Sequence, residues 1–389
     1  ARTSKWKQER QAGRSLINPL NPMEQDPAWD TKALDDGTAN TNIIFHSNKL
    51  LALEEGHAPF ELDPYTLESL GTYNYEGKLL SPMTAHPKID PVTGDLYGFS
   101  YTTGDFFSNR MSYFVINADG VLTKYEEFDA PYSSMVHDFM VTCEHIIFPI
   151  FPLTMDINRA MEGKPAIAWE PDKSSYIGVM PRTGNVEEIT WYEDDPCFVF
   201  HPMNSYTDGN KIIADVMQFE AAPLFPYADG SPGDPKKAES KLNRWEIDLT
   251  SNSNNVKKNY LDENLGEFPR IDERYSMMNY RHGYFAAGIG DRPEDMGFNS
   301  IAHYDHKTSK KDYYTLSERD AVGEPVFVPK EKDSKEGDGY LIATCYRGEE
   351  NRSDLLIMDA KNISEGPIAV AKLPHRIPYG FHGNWRQGE

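Results

Sequence analysis

Short apolar segments separated by clusters of turn-forming residues dominate the hydrophobic pattern of this chain. One phrase recurs, in which an apolar segment ends in Asp or Asn, a turn follows and a new apolar segment begins. It occurs at residues 62–67, 89–94, 116–120, 247–250, 304–308 and 358–361. Asp and Asn hydrogen-bond nearby backbone in such turns, and Gly supplies positive φ. Each copy therefore predicts a β-hairpin.

Repeated hairpins over 389 residues predict an all-β fold. A β-propeller fits this repetition better than a single sandwich, and a large β-barrel or a pair of sandwiches is the alternative. Few segments have helical character, namely residues 5–16 and one short turn at residues 156–161. No segment has the composition of a linker, so we predict one domain over residues 1–389.

Composition narrows the possible partners. A net charge of -22 argues against nucleic acid, which is bound by clustered Lys and Arg. Three widely spaced cysteines without a CxxC pair indicate a reducing, cytoplasmic compartment. No run reaches the roughly 18 apolar residues of a membrane span. The segment 146–153 could form an apolar patch that touches a membrane, but a buried strand is the preferred interpretation.

Four histidines lie at apolar segment ends or in tight turns, and they are His86, His137, His201 and His382. Neutral imidazoles suit iron, zinc and copper. If these residues converge, the fold must bring distant strand ends together, as the axis of a propeller does. His282 is predicted to be a satisfied core histidine. The remaining histidines have polar neighbours and are predicted to lie at the surface: His46, His57, His145, His303, His306 and His375.

Metal-bound histidines usually donate their second ring N–H to a carboxylate or a carbonyl. Three glutamates lie against apolar sequence that a solvated acid does not need, and they are Glu55, Glu267 and Glu324. They are candidates to orient such histidines. The alternative is that they cap strands or pair with Lys or Arg.

With these histidines and glutamates in place, the chain resembles the carotenoid cleavage oxygenases, a family that includes stilbene- and phenylpropanoid-cleaving members. The matching phrases run in the family's order. They are Arg2-Thr3, Glu9-Arg10, Gly13-Arg14 and residues 38–42, 50–53, 83–91, 136–139, 200–201, 267–271, 324–328 and 380–385. Each phrase alone is weak, but the ordered set is specific.

The resemblance implies a seven-bladed β-propeller, with loops and a few short helices forming a cap over an axial Fe(II). It implies that His86, His137, His201 and His382 are the iron ligands. Glu55, Glu267 and Glu324 would then orient His137, His201 and His382 respectively, whereas His86 has no matching acid. The implied reaction is cleavage of a conjugated C=C bond by O2 to give two carbonyl products.

Two departures from the family pattern bear on completeness and on substrate. Family members begin with further strands before the Arg-Thr phrase, so we expect the given sequence to lack those strands. The phenol-cleaving branch binds a substrate hydroxyl with a Tyr and a Lys, at the positions of Pro19 and Glu54 here. We therefore favour an apocarotenoid-like substrate over a stilbene or phenylpropanoid. A non-oxygenase propeller metalloprotein is the further alternative.

Conjugated alkenes are apolar, so the substrate tunnel should be lined by aromatic residues and Met. The candidates are Phe106, Phe107, Tyr132, Met135, Phe151 and Phe225. Ordinary core packing is the alternative for each of them. Such a tunnel would open through an apolar surface in peripheral contact with a membrane.

Overall fold

The computed structural model describes residues 1–18, 21–30, 37–250, 256–290 and 297–388. Helices are short. Helix α1 (Ser4–Ala12) begins after Thr3, whose Oγ1 accepts a hydrogen bond from the Trp6 backbone, and ends at Gly13 with φ of 69°. Helix α2 (Ile157–Met161) is capped by the Asp156 carboxylate. Among the described residues, 3-10 turns cover Val186–Glu188, Glu273–Tyr275 and Ile363–Glu365.

The predicted hairpin turns are confirmed. The Asp90 carboxylate accepts hydrogen bonds from the backbone N–H groups of Val92 and Thr93 at 2.7 and 3.2 Å, and Gly94 follows with φ of 76°. This geometry reverses the chain between two strands. Carboxylates at corresponding positions accept backbone N–H groups in the same way: Asp63, Asp248, Asp305 and Asp359.

The chain forms two compact units, and the first comprises residues 1–198 and 219–238. Its described residues form three four-stranded antiparallel sheets and two hairpins. The first sheet contains β3 (Asn42–His46), β4 (Lys49–Leu53), β5 (Phe60–Leu62) and β6 (Ser69–Thr72), paired in that order. The second contains β7 (Lys88–Ile89), β8 (Leu96–Ser100), β9 (Arg110–Ile116) and β10 (Leu122–Asp129). The third contains β11 (Met140–Val141), β12 (His145–Ile150), β15 (Ser175–Pro181) and β16 (Thr190–Asp194). The hairpins are β1 (Ile17–Asn18) with β2 (Asn21–Gln25), and β13 (Leu153–Met155) with β14 (Ile167–Trp169).

The second unit comprises residues 199–218 and 239–389. Its larger sheet has seven antiparallel strands in sequence order, which are β17 (Phe198–Asp208), β18 (Lys211–Phe219), β19 (Lys241–Asp248), β20 (Lys257–Ile271), β21 (His282–Gly288), β22 (Ser300–Asp305) and β23 (Lys310–Thr315). Its other sheet contains β24 (Ala321–Val322), β25 (Val326–Pro329), β26 (Gly339–Arg347), β27 (Arg352–Asp359) and β28 (Pro367–Lys372). Both β24 and β25 pair with β26.

Most strands pair with their sequence neighbours, a propeller-like arrangement. The prediction of a mostly-β chain with few helices is confirmed, whereas the count of seven blades and the cap stay predictions. The segment 146–153 is buried, as preferred, but only residues 146–150 belong to strand β12, while Leu153 begins β13. No helix among the described residues is long and apolar enough to cross a membrane.

The prediction of a surface position is wrong for three histidines, because His46 and His303 are buried and the side chain of His306 is only 4% exposed. His46 contacts a backbone carbonyl at 2.9 Å. His303 pairs with His282 at 2.9 Å between Nε2 and Nδ1, and His306 accepts from Arg244. Polar neighbours in the sequence do not ensure exposure, since Asp305, which lies between His303 and His306, is itself buried and paired with Arg281.

Candidate metal centre

His86 and His137 approach each other within the first unit. His86 lies in the irregular segment before β7, where its backbone N–H donates to Thr84 Oγ1 at 2.9 Å, and His137 lies just before β11. The two Nε2 atoms are 3.0 Å apart. Two nitrogens that bind one ion at right angles, each at about 2.1 Å, are separated by about 3 Å. The spacing therefore suits a shared cation.

Glu55 fixes the orientation of His137. It follows β4, and its Oε2 lies 2.6 Å from His137 Nδ1, while its Oε1 accepts the Tyr101 hydroxyl at 2.7 Å. Burial opposes a charge on His137, but the Glu55 and Asp138 carboxylates together outweigh burial and raise the pKa of this imidazole. With Nδ1–H donated to Glu55, the Nε2 lone pair of the neutral ring is available to a metal.

His201 and His382 form the corresponding pair in the second unit. His201 is on β17, whereas His382 lies in the irregular segment that follows β28. Their ring centroids are 4.7 Å apart, with planes at 76°. Glu267 Oε2 lies 2.5 Å from His201 Nδ1, and Glu324 Oε1 lies 3.0 Å from His382 Nδ1. Each imidazole thus has the carboxylate partner that the resemblance implied.

A β-bulge in β20 places Glu267. The pairing register of β20 with β21 shifts between Glu267 and Arg270, and Phe268 has a φ of 53°. Bulges re-aim side chains, and a positive φ is uncommon for a residue with a bulky side chain. The Phe268 ring then stacks on His201 at 5.7 Å and contacts His382 edge-on at 5.5 Å. No local pattern in the sequence indicates this role of Phe268, although Phe268 lies within the matching phrase 267–271.

The potential ligand atoms of His86, His137, His201 and His382 all lie within 4.8 Å of one another. Three of these imidazoles are held through Nδ1 by carboxylates. A set of neutral nitrogen donors with such carboxylates behind it suits iron, zinc or copper. The residues present therefore fit a bound transition metal.

Asp138 is an acid near His86 that the sequence analysis missed. It is buried, and its Oδ2 lies 3.7 Å from His86 Nδ1, too far for a hydrogen bond. Lys88 Nζ lies 2.7 Å from its Oδ1. Burial raises the pKa of Asp138 in spite of Lys88. His86 thus has a neighbouring carboxylate at longer range than the other three histidines have.

Glu54 lies beside Glu55, at the position where the phenol-cleaving branch has Lys. Its carboxylate is in contact with His57 Nδ1, and it accepts a hydrogen bond from Thr38 Oγ1 at 3.2 Å. Pro19, the other position of this comparison, lies outside the described residues. Of the two positions at which the resemblance places phenol-binding residues, the structure therefore describes one, and a carboxylate in contact with a histidine occupies it.

The six predicted tunnel residues all belong to the first unit, and they are Phe106, Phe107, Tyr132, Met135, Phe151 and Phe225. Phe151 is buried and packs on Phe198 with ring centroids 5.7 Å apart. The Tyr132 hydroxyl donates to the Ser174 carbonyl at 2.8 Å. The other four are half-buried. Their role in a tunnel stays a prediction.

A groove of about 450 Å³ in the second unit includes Glu324 and His382 in its lining. The rest of its lining comes from strands β24 to β27, from Gly323 and from the segment 376–385, and none of the six predicted tunnel residues lines it. Tyr379, Phe381 and Trp385 contribute exposed aromatic surface on this segment.

Known proteins are similar to this chain in sequence and in structure. The model of the RPE65 family, described as retinal pigment epithelial membrane protein, matches residues 1–387. The chain belongs to the carotenoid cleavage oxygenase family. Isoeugenol monooxygenase of Pseudomonas putida is 38% identical over 99% of this chain and 82% of its own length. Lignostilbene-alpha,beta-dioxygenase isozyme III of Sphingomonas paucimobilis is 39% identical, over 99% and 81% respectively.

Solved structures of this family are similar to the chain as well. Lignostilbene dioxygenase of Pseudomonas brassicacearum has a TM-score of 0.94 at 34% identity, covering 99% of this chain and 82% of its own. Cobalt-substituted apocarotenoid oxygenase of Synechocystis has a TM-score of 0.86 at 27% identity, covering 100% and 83%. These relatives are oxygenases, and this family member is an enzyme of the same class.

Proposed function

We propose that this protein is a non-haem Fe(II) dioxygenase that cleaves a conjugated C=C bond with O2 and yields two carbonyl products. The observation that carries the proposal is the group of four imidazoles with ligand atoms within 4.8 Å. A ferrous ion bound there would supply the open coordination positions at which O2 is activated. The family membership supports iron and alkene cleavage together.

The protein's own residues would bind the metal, orient its ligands and keep water out of the cavity. His86, His137, His201 and His382 would hold the metal, three of them with Nδ1–H donated to Glu55, Glu267 and Glu324. These carboxylates offset the charge of an ion whose direct ligands are all neutral. No side chain is needed as an acid or base at the reacting carbons, so placement of the alkene in a dry cavity is the main task of the protein.

For the substrate we propose an aryl alkene of the phenylpropene or stilbene class. The supporting observation is that relatives at 38%, 39% and 33% identity are named for isoeugenol, lignostilbene and resveratrol. This preference replaces the one drawn from the sequence alone. An apocarotenoid-like polyene is the second candidate, and Glu54 favours it, because a carboxylate does not stabilise a phenolate as a lysine does.

We also infer that the sheets form one seven-bladed propeller domain with a cap of loops. The TM-score of 0.94 to lignostilbene dioxygenase supports this architecture. A cap over the metal would let the apolar substrate reach it through a tunnel that excludes water. The candidate residues lining this tunnel are Phe106, Phe107, Tyr132, Met135, Phe151 and Phe225.

Metal analysis and a substrate panel test the function. After anaerobic reconstitution, we expect one iron per chain, lost in His201→Ala. Under O2, the iron-loaded protein should release aromatic aldehydes from hydroxystyrenes or hydroxystilbenes. Bleaching of apocarotenals instead would favour the second candidate. Iron binding without turnover of either class would contradict the proposed reaction and favour a non-oxygenase metalloprotein.

A further inference from the structure

His382 is carried by a segment that regular secondary structure does not hold. Residues 373–388 follow β28 and form neither helix nor strand. Tyr379 and Trp385 on this segment are 67% and 49% exposed. Ser353 on β27 holds the start of the segment, through hydrogen bonds with the backbone of Leu373, His375 and Ile377. Beyond Ile377 neither a strand ladder nor a buried aromatic side chain fixes the described part of the segment, and such segments open easily unless other contacts hold them.

Two side chains from distant parts of the second unit hold residues 382–384. Glu324 accepts His382 Nδ1–H through Oε1 at 3.0 Å and the Gly383 N–H through Oε2 at 2.9 Å. Arg270 donates through Nη1 to the Gly383 carbonyl at 2.7 Å and through Nη2 to Asn384 Oδ1 at 2.9 Å. The N–H and the carbonyl of Gly383 are thus both hydrogen-bonded, and so are the side chains of its neighbours His382 and Asn384.

Arg270 and Glu324 also hold each other. Arg270 Nη1 lies 2.9 Å from Glu324 Oε2, and the two side chains are only 11% and 5% exposed. Arg270 Nε donates to Glu273 Oε1 at 3.1 Å. A buried ion pair is costly unless further hydrogen bonds satisfy it, and here every nitrogen of the guanidinium has a partner. The planar fork allows this set of contacts, which a lysine could not reproduce.

We propose that Arg270 is a positioning residue for the metal centre, because it fixes both the segment 382–384 and the carboxylate that orients His382. The proposal rests on the proposed metal site. Arg270 differs from the groups that support the other two glutamates, because it also binds the segment that carries the histidine. Tyr101 supports Glu55, and the Phe268 N–H donates to Glu267 at 2.5 Å.

Arg270→Lys tests this role, with Arg274→Lys as the matched control. Arg274 lies four positions along the chain and has a similar pattern of contacts. It pairs with Asp272 and donates to the carbonyls of Lys332 and Ser334 at 2.8 and 3.0 Å, but it holds a loop that carries no candidate ligand.

The first readout is hydrogen exchange of the metal-free protein. We expect exchange in peptides covering residues 378–388 to be at least about tenfold faster in Arg270→Lys and unchanged in Arg274→Lys. The second readout is binding of cobalt(II) alone, followed by its absorption spectrum. We expect affinity to fall by about 10- to 100-fold in Arg270→Lys, as for other groups that orient metal ligands, with an altered spectrum.

Unchanged exchange and cobalt affinity in Arg270→Lys would overturn the proposal, as would a uniform rise in exchange across all peptides. If Arg270→Lys does not fold, Asn384→Ala removes one Arg270 contact at an exposed residue and should shift both readouts less, in the same direction. Neither readout requires turnover, so absence of oxygenase activity in the wild-type protein would contradict the proposed function and leave this test intact.

Discussion

Glu324 accepts the Nδ1–H of His382 at 3.0 Å, although the two residues are 58 positions apart in the chain. The carboxylate follows the short strand β24, and the imidazole follows the last strand. Their hydrogen bond fixes which ring nitrogen carries the proton and leaves Nε2 as the nitrogen with a lone pair, which is the atom that the proposed metal would need. The same relationship recurs between Glu55 and His137. Orientation of the imidazoles by carboxylates is thus a shared property of the candidate centre.

Glu267→Gln is expected to weaken iron retention by about 10- to 100-fold, because an amide is a poorer acceptor for the His201 Nδ1–H than a carboxylate. The measurement is competition with a chelator under anaerobic conditions. Glu263→Gln is the matched control, since Glu263 is on the same strand but exposed. Equal iron affinity in both variants would count against a role for Glu267 in orienting His201.

Tyr101→Phe is expected to lower the free energy of unfolding of the metal-free protein by about 1.5–3 kcal/mol, the contribution typical of a hydrogen bond to a charged group. The buried Tyr101 hydroxyl donates to Glu55 at 2.7 Å. Tyr113→Phe is the control, because Tyr113 is equally buried and its hydroxyl has no hydrogen-bond partner among the described residues. Urea unfolding compares the two, and equal losses would contradict a special role for the Tyr101–Glu55 bond.

Local features of the sequence predicted the hairpin turns well, because a turn such as that of Asp90 depends on residues two or three positions away. Burial of His303 could not be predicted in this way, since it depends on how neighbouring strands pack. The glutamate partners of His137, His201 and His382 were assigned from the resemblance. The contact of Arg270 with Gly383 joins residues 113 positions apart, and no local pattern indicates it.

Acid should destabilise the protein through its buried imidazoles. Burial lowers the pKa of His282 and of His303 to about 4. Because the folded state favours the neutral rings, their contribution is complete above the unfolded pKa of about 6.5 and is lost as pH falls toward 4. Each imidazole should reduce the free energy of unfolding by up to about 1.4 kcal/mol per pH unit in this window.

His303→Gln tests this effect, because it removes one ring of the His282–His303 pair. We expect the unfolding free energy of this variant, measured by urea at pH 7, 6 and 5, to fall less steeply than that of the wild-type protein. His375→Gln, at an exposed position, should keep the wild-type slope. A His303→Gln slope equal to that of the wild-type protein would contradict the assignment of acid sensitivity to this pair.

Glu54→Lys is expected to shift substrate preference toward phenols. Glu54 is a carboxylate in contact with His57 and Thr38, so it disfavours a phenolate nearby. A lysine at this position could donate to a substrate hydroxyl, and a hydrogen bond to a charged group contributes about 1.5–3 kcal/mol, or roughly 10- to 150-fold. We expect kcat/KM for a 4-hydroxystilbene, relative to its 4-methoxy analogue, to rise by at least about tenfold. Glu76→Lys makes the same charge change at a side chain that is 82% exposed, and it should leave the ratio unchanged. A ratio that stays constant in Glu54→Lys would mean that Glu54 does not face the substrate, and the argument from Glu54 for a polyene would lose its basis.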